Sequence, residues 1–253
     1  MVAAGIKQNN MGTKKYRLTE NHINIGNRIL YQIEALKDFG NVKSGDLGGY
    51  IESEENLSQY DNAWVYGNAQ VHGNAKVYGD AQVRDNAQVR GNAQVFGNAQ
   101  VFGNAWVCDN AKVCGNAKVR GDAQVCDNAE VCDNAEVHGN AKVCDNAKVY
   151  GDAKVCDNAD VFGNAQVYGD AEIKSKEDYI VFKNWWSSGR YFTWTRSNNM
   201  WKVGCFYGTG EELIKKAYND SKESCREYER IVRYVESILA DEKRKENEPI
   251  GIK

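Results

Sequence analysis

Side chains suited to binding an anion recur along the chain at intervals of 18 residues. Arg84 and Arg120 belong to this series with Phe102 midway between them, His138 continues it, and Lys118 lies beside it. Guanidinium groups bind phosphate oxygens through paired hydrogen bonds, and an aromatic ring can stack on a nucleobase. If residues 18 apart lie one above another, roughly 10 Å separates the two arginines. The series therefore predicts a nucleotide-binding face, and the alternative is a solvated face on which arginine packs against Phe102.

Histidine does not indicate a catalytic or metal centre. The chain has three histidines, His22, His72 and His138, of which the last two fall in different 18-residue series and the first precedes the repeat described below. A zinc site of the carbonic anhydrase type needs three histidines on one ion. We therefore predict no catalytic residue, no metal site and no cofactor.

Cysteine occupies one slot of a six-residue period. Six of the eight cysteines share this slot: Cys108, Cys114, Cys126, Cys132, Cys144 and Cys156. Their spacings are multiples of six, unlike the short gaps of zinc knuckles. Cysteines 18 apart should stack, but parallel side-chain vectors give poor disulfide geometry. We predict eight free thiols in a reducing compartment.

Another 18-residue series contains no charged residue. Its members are Tyr78, Phe96, Cys114, Cys132, Tyr150 and Tyr168. An exposed apolar strip of this length is usually covered by another surface, and β-helices commonly associate side by side. We predict a homo-oligomer, a trimer or dimer, packed on this face. The alternative is a surface ladder stabilised by stacking along the chain's own coils.

These series follow from an uninterrupted repeat that extends from Asp61 to Lys174. It comprises nineteen hexads that read Gly/Asp, Asn/Asp, Ala, any residue, Val (Ile in the last hexad), any residue. Alternate strand residues point to opposite sides, so Ala and Val face inwards. The first two positions supply the left-handed backbone of a corner. Six residues per side predict a three-sided parallel β-helix with eighteen residues per coil.

The segments that flank the repeat have a different composition. We expect residues 1–13 to be flexible, residues 14–54 to form a β cap with a turn at Gly26, and residues 55–174 to form the β-helix. The last range includes 55–60 as a degraded first hexad. Residues 175–253 predict a small α+β module with aromatic-rich strands, a capping box at Thr209 and an amphipathic helix over 222–240. Most of its aromatic residues should form its core, and any exposed ones are binding candidates.

Several motifs resemble one known family. The start YRLT, the segment ALKDFG to GDLGGYI and the tandem GNAxVx repeats are similar to hexapeptide-repeat proteins of bacteria, phages and prophages, as is GCFYGTGEEL. The resemblance covers nearly the whole chain from Lys15. It implies a mainly β fold built on a left-handed parallel β-helix, and a phage or prophage origin. Acyltransferases of this family use a histidine base and a loop that leaves the helix, whereas no loop interrupts these nineteen hexads.

The function predicted from these features is non-catalytic binding, with a host protein or a small ligand such as a nucleotide as the partner. The alternative is a structural or assembly scaffold, and an acyltransferase is the third hypothesis. The net charge of −3 without a basic block argues against binding duplex nucleic acid. No segment approaches the ~20 apolar residues of a membrane helix, so we expect no membrane partner and a cytoplasmic location, in the host cytoplasm if a phage encodes the protein.

Overall fold

The computed structural model describes residues 14–186 and 188–247, so the flexibility predicted for residues 1–13 lies outside the described residues. The chain divides into two compact units between Asp178 and Tyr179. The first is a parallel β-solenoid preceded by antiparallel strands. The second is a four-stranded antiparallel sheet with two α-helices. The mainly β fold class predicted from the sequence is confirmed.

Each hexad of residues 61–174 contributes one two-residue strand, and strands 18 residues apart pair in parallel. The strands form three faces, each named here after its first repeat residue. The Trp64 face comprises Trp64–Val65, Gln82–Val83, Gln100–Val101, Lys118–Val119, Glu136–Val137, Lys154–Val155 and Glu172–Ile173. The Gln70 face comprises Gln70–Val71, Gln88–Val89, Trp106–Val107, Gln124–Val125, Lys142–Val143 and Asp160–Val161. The Lys76 face comprises Lys76–Val77, Gln94–Val95, Lys112–Val113, Glu130–Val131, Lys148–Val149 and Gln166–Val167.

The interior of the solenoid consists of the alanine and valine of each hexad. Val65, Val83 and Val101 are 0 % exposed, as are their alanine neighbours, which confirms the inward assignment. Burying one valine side chain stabilises the fold by roughly 1.5–3 kcal/mol. The final residue of each hexad follows the strand and is only partly exposed in most coils. Stability therefore accumulates coil by coil from a narrow but fully dehydrated core.

The corners have the backbone that the Gly/Asp position requires. Gly79 has φ +74° and Asp85 has φ +61°, both in the left-handed region. Where this position is Asp, its carboxylate can bind the coil that follows: Asp85 Oδ2 accepts from the Gly103 N–H at 2.9 Å and Asp133 Oδ2 accepts from the Gly151 N–H at 3.1 Å. Aspartate thus tolerates the strained backbone and satisfies a backbone donor, whereas glycine only removes the steric cost.

The second corner position forms amide ladders. On one edge each side-chain N–H donates to the oxygen of the residue on the following coil, through Asn74, Asn92, Asn110, Asn128 and Asn146. A second ladder runs from Asn98 through Asn116 and Asn134 to Asp152. A carboxylate accepts but cannot donate, so an aspartate here ends the run of donors.

Three strands precede the repeat: Tyr16–Ile25, Arg28–Ala35 and Leu47–Ile51. The first two form a hairpin whose turn contains Gly26 with φ +58°, as predicted. The third pairs with Gln70–Val71 in parallel and so extends the Gln70 face. A Cβ on Gly49 would lie 2.5 Å from the Ala69 carbonyl oxygen, which explains the small residues of GDLGGYI.

The segment 55–60 is not an in-phase hexad, which corrects the sequence-based interpretation. A short 3₁₀ helix occupies Glu54–Asn56, and Leu57 then bridges to Val77, a separation of 20 residues rather than 18. The side-chain oxygen of Gln59 meanwhile accepts from the Lys15 N–H at 2.8 Å. Contacts with the preceding strand therefore take up Gln59, and the register of the repeat begins only after it.

The second unit contains the strands Tyr179–Lys183, Tyr191–Thr195, Met200–Val203 and Phe206–Gly208, then helices α1 (Gly210–Asp220) and α2 (Lys222–Asn247). The 3₁₀ helix Lys176–Asp178 precedes them. Thr209 caps α1 as predicted, since its Oγ1 accepts from the Glu212 N–H at 3.3 Å. Helix α2 extends seven residues beyond the predicted end at Ala240. Neither helix has, within its described residues, the length and apolar character needed to cross a membrane.

Candidate functional site

The predicted ligand-binding residues lie on the Trp64 face, and most of them already contact other residues of that face. The Arg84 guanidinium lies over the Phe102 ring at 5.7 Å, and its Nη2 donates to Gln100 Oε1 at 2.9 Å. The buried Nε of Arg84 has no hydrogen-bond partner among the residues that the structure describes. Arg84 therefore packs against Phe102, as the alternative to nucleotide binding expected, and the buried Nε–H of Arg84 remains without an acceptor in the described part of the chain.

On the coils of this face that follow Phe102, two cationic side chains contact Glu136. Lys118 Nζ lies 3.3 Å and Arg120 Nη2 lies 3.6 Å from its carboxylate. Burial alone would raise the pKa of Glu136, but the hydrogen bond from Lys118 and the neighbouring cations hold it below its ordinary value. Burial and the Arg120 charge lower the pKa of His138, which favours its neutral form. The structure thus places Arg120, Lys118 and His138 near the same carboxylate, that of Glu136.

The predicted interface strip lies along the Lys76 face. Tyr78 stacks on Phe96 with ring centroids 4.9 Å apart, and Tyr150 stacks on Tyr168 at 5.1 Å. The Tyr150 hydroxyl also donates to Glu130 Oε2. Burial and this carboxylate raise the pKa of Tyr150. The ladder of the alternative interpretation is therefore present, and the predicted association on this face stays a prediction.

The prediction of eight free thiols is wrong for four of them. Disulfides join Cys108 to Cys126 and Cys114 to Cys132, with Cα atoms 4.7 Å and 4.5 Å apart. These cysteines follow the last strand residue and precede the left-handed corner residue. Because they lie at the edge of the ladder, their side chains can turn towards each other instead of remaining parallel. Cys144, Cys156, Cys205 and Cys225 are free.

One disulfide lies beside an acidic corner. Single ligand atoms of Cys108, Asp109 and Cys126 all lie within 4.8 Å of one another, a grouping that the six-residue spacing did not indicate. Cys144 occupies the same slot on the next coil. Burial and the carboxylates of Asp145, Asp127 and Asp160 raise the pKa of its thiol, so this edge of the solenoid disfavours thiolate.

A polar cavity of about 580 Å³ lies at the cap end of the Gln70 face and contains His72 in its lining. Both arginines of its lining have partners, since Arg28 lies 2.7 Å from Glu52 and the Arg90 guanidinium lies over the Trp106 ring at 5.0 Å. Burial and the Arg28 charge lower the pKa of His72. His22 lies on the first cap strand and His138 on the Trp64 face, so the histidines occupy three separate places.

The C-terminal unit has a more apolar concavity, here called the tryptophan groove. Its volume is about 650 Å³, and its lining includes Phe182, Trp185, Trp186, Ile231 and Tyr234. Trp185 is 79 % exposed and Tyr234 is 57 % exposed, although most other aromatic side chains of the unit are buried or partly buried. Sequence analysis did not single out these two, because nothing in the sequence separates them from core aromatics.

Trp186 connects the tryptophan groove to the core of the C-terminal unit. Trp186 contacts Trp185 edge-on at 5.9 Å and also contacts the Tyr228 ring of the core at 5.9 Å. Its buried indole N–H has no hydrogen-bond partner within residues 14–186 and 188–247. The rim carries opposite charges, since the largely buried Glu227 accepts from Arg230 at 3.2 Å. The groove thus combines exposed rings, one unsatisfied donor and a rim that carries the Glu227–Arg230 ion pair and Lys183.

Comparison with known proteins addresses the repeat. The family model described as "YdcK Beta solenoid repeat" matches residues 93–109. No curated protein matches the chain. The matched segment lies within the hexads and leaves both flanking regions uncovered. Together with the coils of the structure, this match supports a β-solenoid repeat protein.

Proposed function

We propose that this chain is a non-catalytic binding protein whose tryptophan groove recognises a protein partner. The observation that carries the proposal is the 79 % exposure of Trp185 beside an apolar concavity. Leaving an indole in water is costly, because burying a large aromatic side chain is among the most favourable contributions to folding and binding. A partner that covers Trp185 would recover this free energy.

The composition of the groove fits a protein partner better than a nucleotide. Trp, Tyr and Arg are the residues enriched at the energetic centres of protein interfaces, and Trp185, Tyr234 and Arg230 supply one of each. A nucleotide site would need free cations for its phosphates. Of the three cations in the lining, Arg230 and Arg233 contact Glu227, Glu211 and Glu236, and Lys183 lies over the Tyr191 ring. The unsatisfied indole N–H of Trp186 would suit a backbone carbonyl oxygen of the partner.

The solenoid serves as a rigid support in this proposal. Its outward side chains pair along the coils, as in the Lys118–Glu136 contact at 3.3 Å and the Lys148–Glu130 contact at 3.2 Å. Side chains that already form ion pairs with one another leave few free charges for a ligand. The scaffold function therefore accompanies binding, and a phage or prophage origin, as implied by the sequence resemblance, would make the partner a host protein.

Capture by purified variants tests the proposal. The full chain, Trp185→Ala and Tyr218→Ala are immobilised and exposed to the same cell extract, and retained proteins are identified by mass spectrometry. Tyr218 is the matched control, because it is 72 % exposed in the same unit but does not line the groove. Any retained protein is then titrated against each variant in purified form.

The expected result is a partner that binds the parent and Tyr218→Ala with similar affinity and binds Trp185→Ala at least about thirtyfold more weakly, the effect of losing about 2 kcal/mol at a central contact. Equal binding by all three proteins would place recognition elsewhere. Failure of the parent to retain any protein would count against a protein-binding function.

A further inference from the structure

Two cysteines and one aspartate at a corner of the Gln70 face have the composition of a metal site. Cys108 and Cys126 lie on consecutive coils with Cα atoms 4.7 Å apart, and Asp109 follows Cys108 directly. One ligand atom from each of the three lies within 4.8 Å of the other two. Cys108 is only 4 % exposed, so the sulfur atoms belong to the packed surface of the solenoid rather than to a loose loop.

The position of the Asp109 carboxylate supports this interpretation. At the equivalent corner position Asp85 and Asp145 use their carboxylates to accept the backbone N–H of Gly103 and Gly163, both at 2.9 Å. Asp109 occupies the same slot, and one oxygen of its carboxylate lies within 4.8 Å of both sulfur atoms. Two sulfurs and one oxygen form a donor set that thiophilic divalent cations accept, Zn²⁺ above all.

We propose that reduction of the Cys108–Cys126 disulfide opens a binding site for a thiophilic divalent cation such as Zn²⁺, with Cys108, Cys126 and Asp109 as its ligands. The reductant is a low-molecular-weight thiol: two molecules are oxidised to their disulfide, and their two hydrogens convert the protein disulfide into two thiols. Binding of the cation then displaces both thiol protons into solvent. A water molecule completes the four-coordinate shell that Zn²⁺ prefers.

The surrounding charge favours a cation at this corner. Asp109, Asp127 and Asp145 occupy equivalent positions on three consecutive coils, each directly after a cysteine. Their carboxylates produce a negative potential that attracts a divalent ion and opposes a pair of uncompensated thiolates. A bound divalent cation therefore compensates the charge of the two thiolates, whereas the disulfide and the protonated dithiol carry none.

The chain supplies its own matched control. Cys114 and Cys132 form a disulfide with the same separation of 18 residues and a Cα distance of 4.5 Å, but Gly115 stands where the first pair has Asp109. Asp133 follows Cys132, but among the described residues no carboxylate oxygen lies within 4.8 Å of both sulfur atoms of this pair, so its reduction should not create an equivalent site. Removal of Cys114 leaves the three proposed ligands unchanged.

Cobalt titration tests the proposal on the full chain. The protein is reduced, freed of reductant under anaerobic conditions and titrated with Co²⁺, whose thiolate charge-transfer absorption reports sulfur ligands and which Zn²⁺ displaces. We expect a single equivalent to bind to the reduced parent and to Cys114→Ser. Cys108→Ser should lose the absorption, and Asp109→Asn should bind at least about tenfold more weakly.

The oxidised parent provides a comparison that needs no substitution, and it should give no thiolate band. Circular dichroism of every sample checks that the solenoid is intact. Absence of the band in the reduced parent, or an unchanged band in Cys108→Ser, would overturn the proposal. An Asp109→Asn variant that binds Co²⁺ as tightly as the parent would remove Asp109 from the ligand set and would overturn the site as stated.

Discussion

The rings of Tyr78 and Phe96 stack on consecutive coils with centroids 4.9 Å apart and planes inclined by 1°. Both residues remain partly exposed, so stacking within the chain leaves part of each ring uncovered. The same holds for Tyr150 and Tyr168 further along the Lys76 face. The outer edges of these rings form the surface on which we predicted self-association.

Charge on this strip should prevent association. We expect the parent to sediment as a dimer or trimer and Phe96→Asp and Tyr150→Asp to sediment as single chains, because a buried unpaired carboxylate opposes the contact. Phe102→Asp is the control, since it changes the same slot on the Trp64 face. A mass that is unchanged in both strip variants would remove this face from the interface.

Asparagine ladders should contribute measurably to stability. Asn116 accepts from Asn98 at 3.0 Å and donates to Asn134 at 2.9 Å. Asn116→Ala should lower the free energy of unfolding by about 1–3 kcal/mol, because it removes two hydrogen bonds. Asn116→Asp should cost about half as much, since the carboxylate still accepts. Urea denaturation measures both, and a larger loss for Asn116→Asp would show that the retained acceptor contact does not stabilise the ladder.

Thiol counting under denaturing conditions should find four reactive thiols before reduction and eight after it. Loss of the Cys114–Cys132 bond, which closes 18 residues, should lower stability by about 3 kcal/mol in the chain-entropy model. The Cys114→Ser/Cys132→Ser variant measures this, and Cys205→Ser, which breaks no bond, is its control. Eight thiols in the unreduced protein, kept from any reductant, would exclude both disulfides.

Lys15 should make stability depend on pH. Its ammonium group donates to the Ala63 carbonyl at 2.8 Å, and burial lowers its pKa from 10.5 to about 8. Between these values the unfolded chain binds the proton and the folded chain does not, so stability should rise as pH increases from 8 towards 10. The denaturation midpoint of the parent should therefore rise relative to that of Lys15→Met as the pH increases over this interval.

The measurement should stop near pH 10, because burial raises the pKa of Tyr16 and its ionisation in the unfolded chain then acts in the opposite direction. A difference between parent and Lys15→Met that does not change with pH would show that Lys15 is not shifted as described.

The predicted nucleotide face can be tested through its arginines. If a nucleotide binds there, Arg84→Ala and Arg120→Ala should each weaken it about tenfold or more in calorimetry, because each removes a charged contact to phosphate. The melting temperature should change little. Arg90→Ala is the matched control, since Arg90 packs on Trp106 much as Arg84 packs on Phe102. Equal affinity in all variants would exclude this face as the site.

The hexad pattern was enough to predict the solenoid, its faces and its interior. Each hexad carries all the information that its own side requires: Ala and Val for the inside, and Gly or Asp with Asn for the corner. Because the pattern repeats every six residues, the neighbours of Val101 on adjacent coils follow by counting to Val83 and Val119. The capping box at Thr209 was predictable for the same reason, since its contacts span three residues.

Features that depend on contacts between unlike segments became visible only in the three-dimensional structure. These are the register of Leu57, the disulfides and the exposure of Trp185. The bridge from Leu57 to Val77 departs from the 18-residue register at a place where Gln59 contacts the distant residue Lys15. The disulfides form because the cysteine side chains that follow the strands can rotate towards each other. A strict alternation of inward and outward side chains does not reveal this. Trp185 is exposed whereas Trp194, in the same unit, is buried, and nothing in the local sequence separates the two. Local periodicity fixes a residue's neighbours only inside the repeat; elsewhere the chain's long-range packing determines which side chain is covered and which meets solvent.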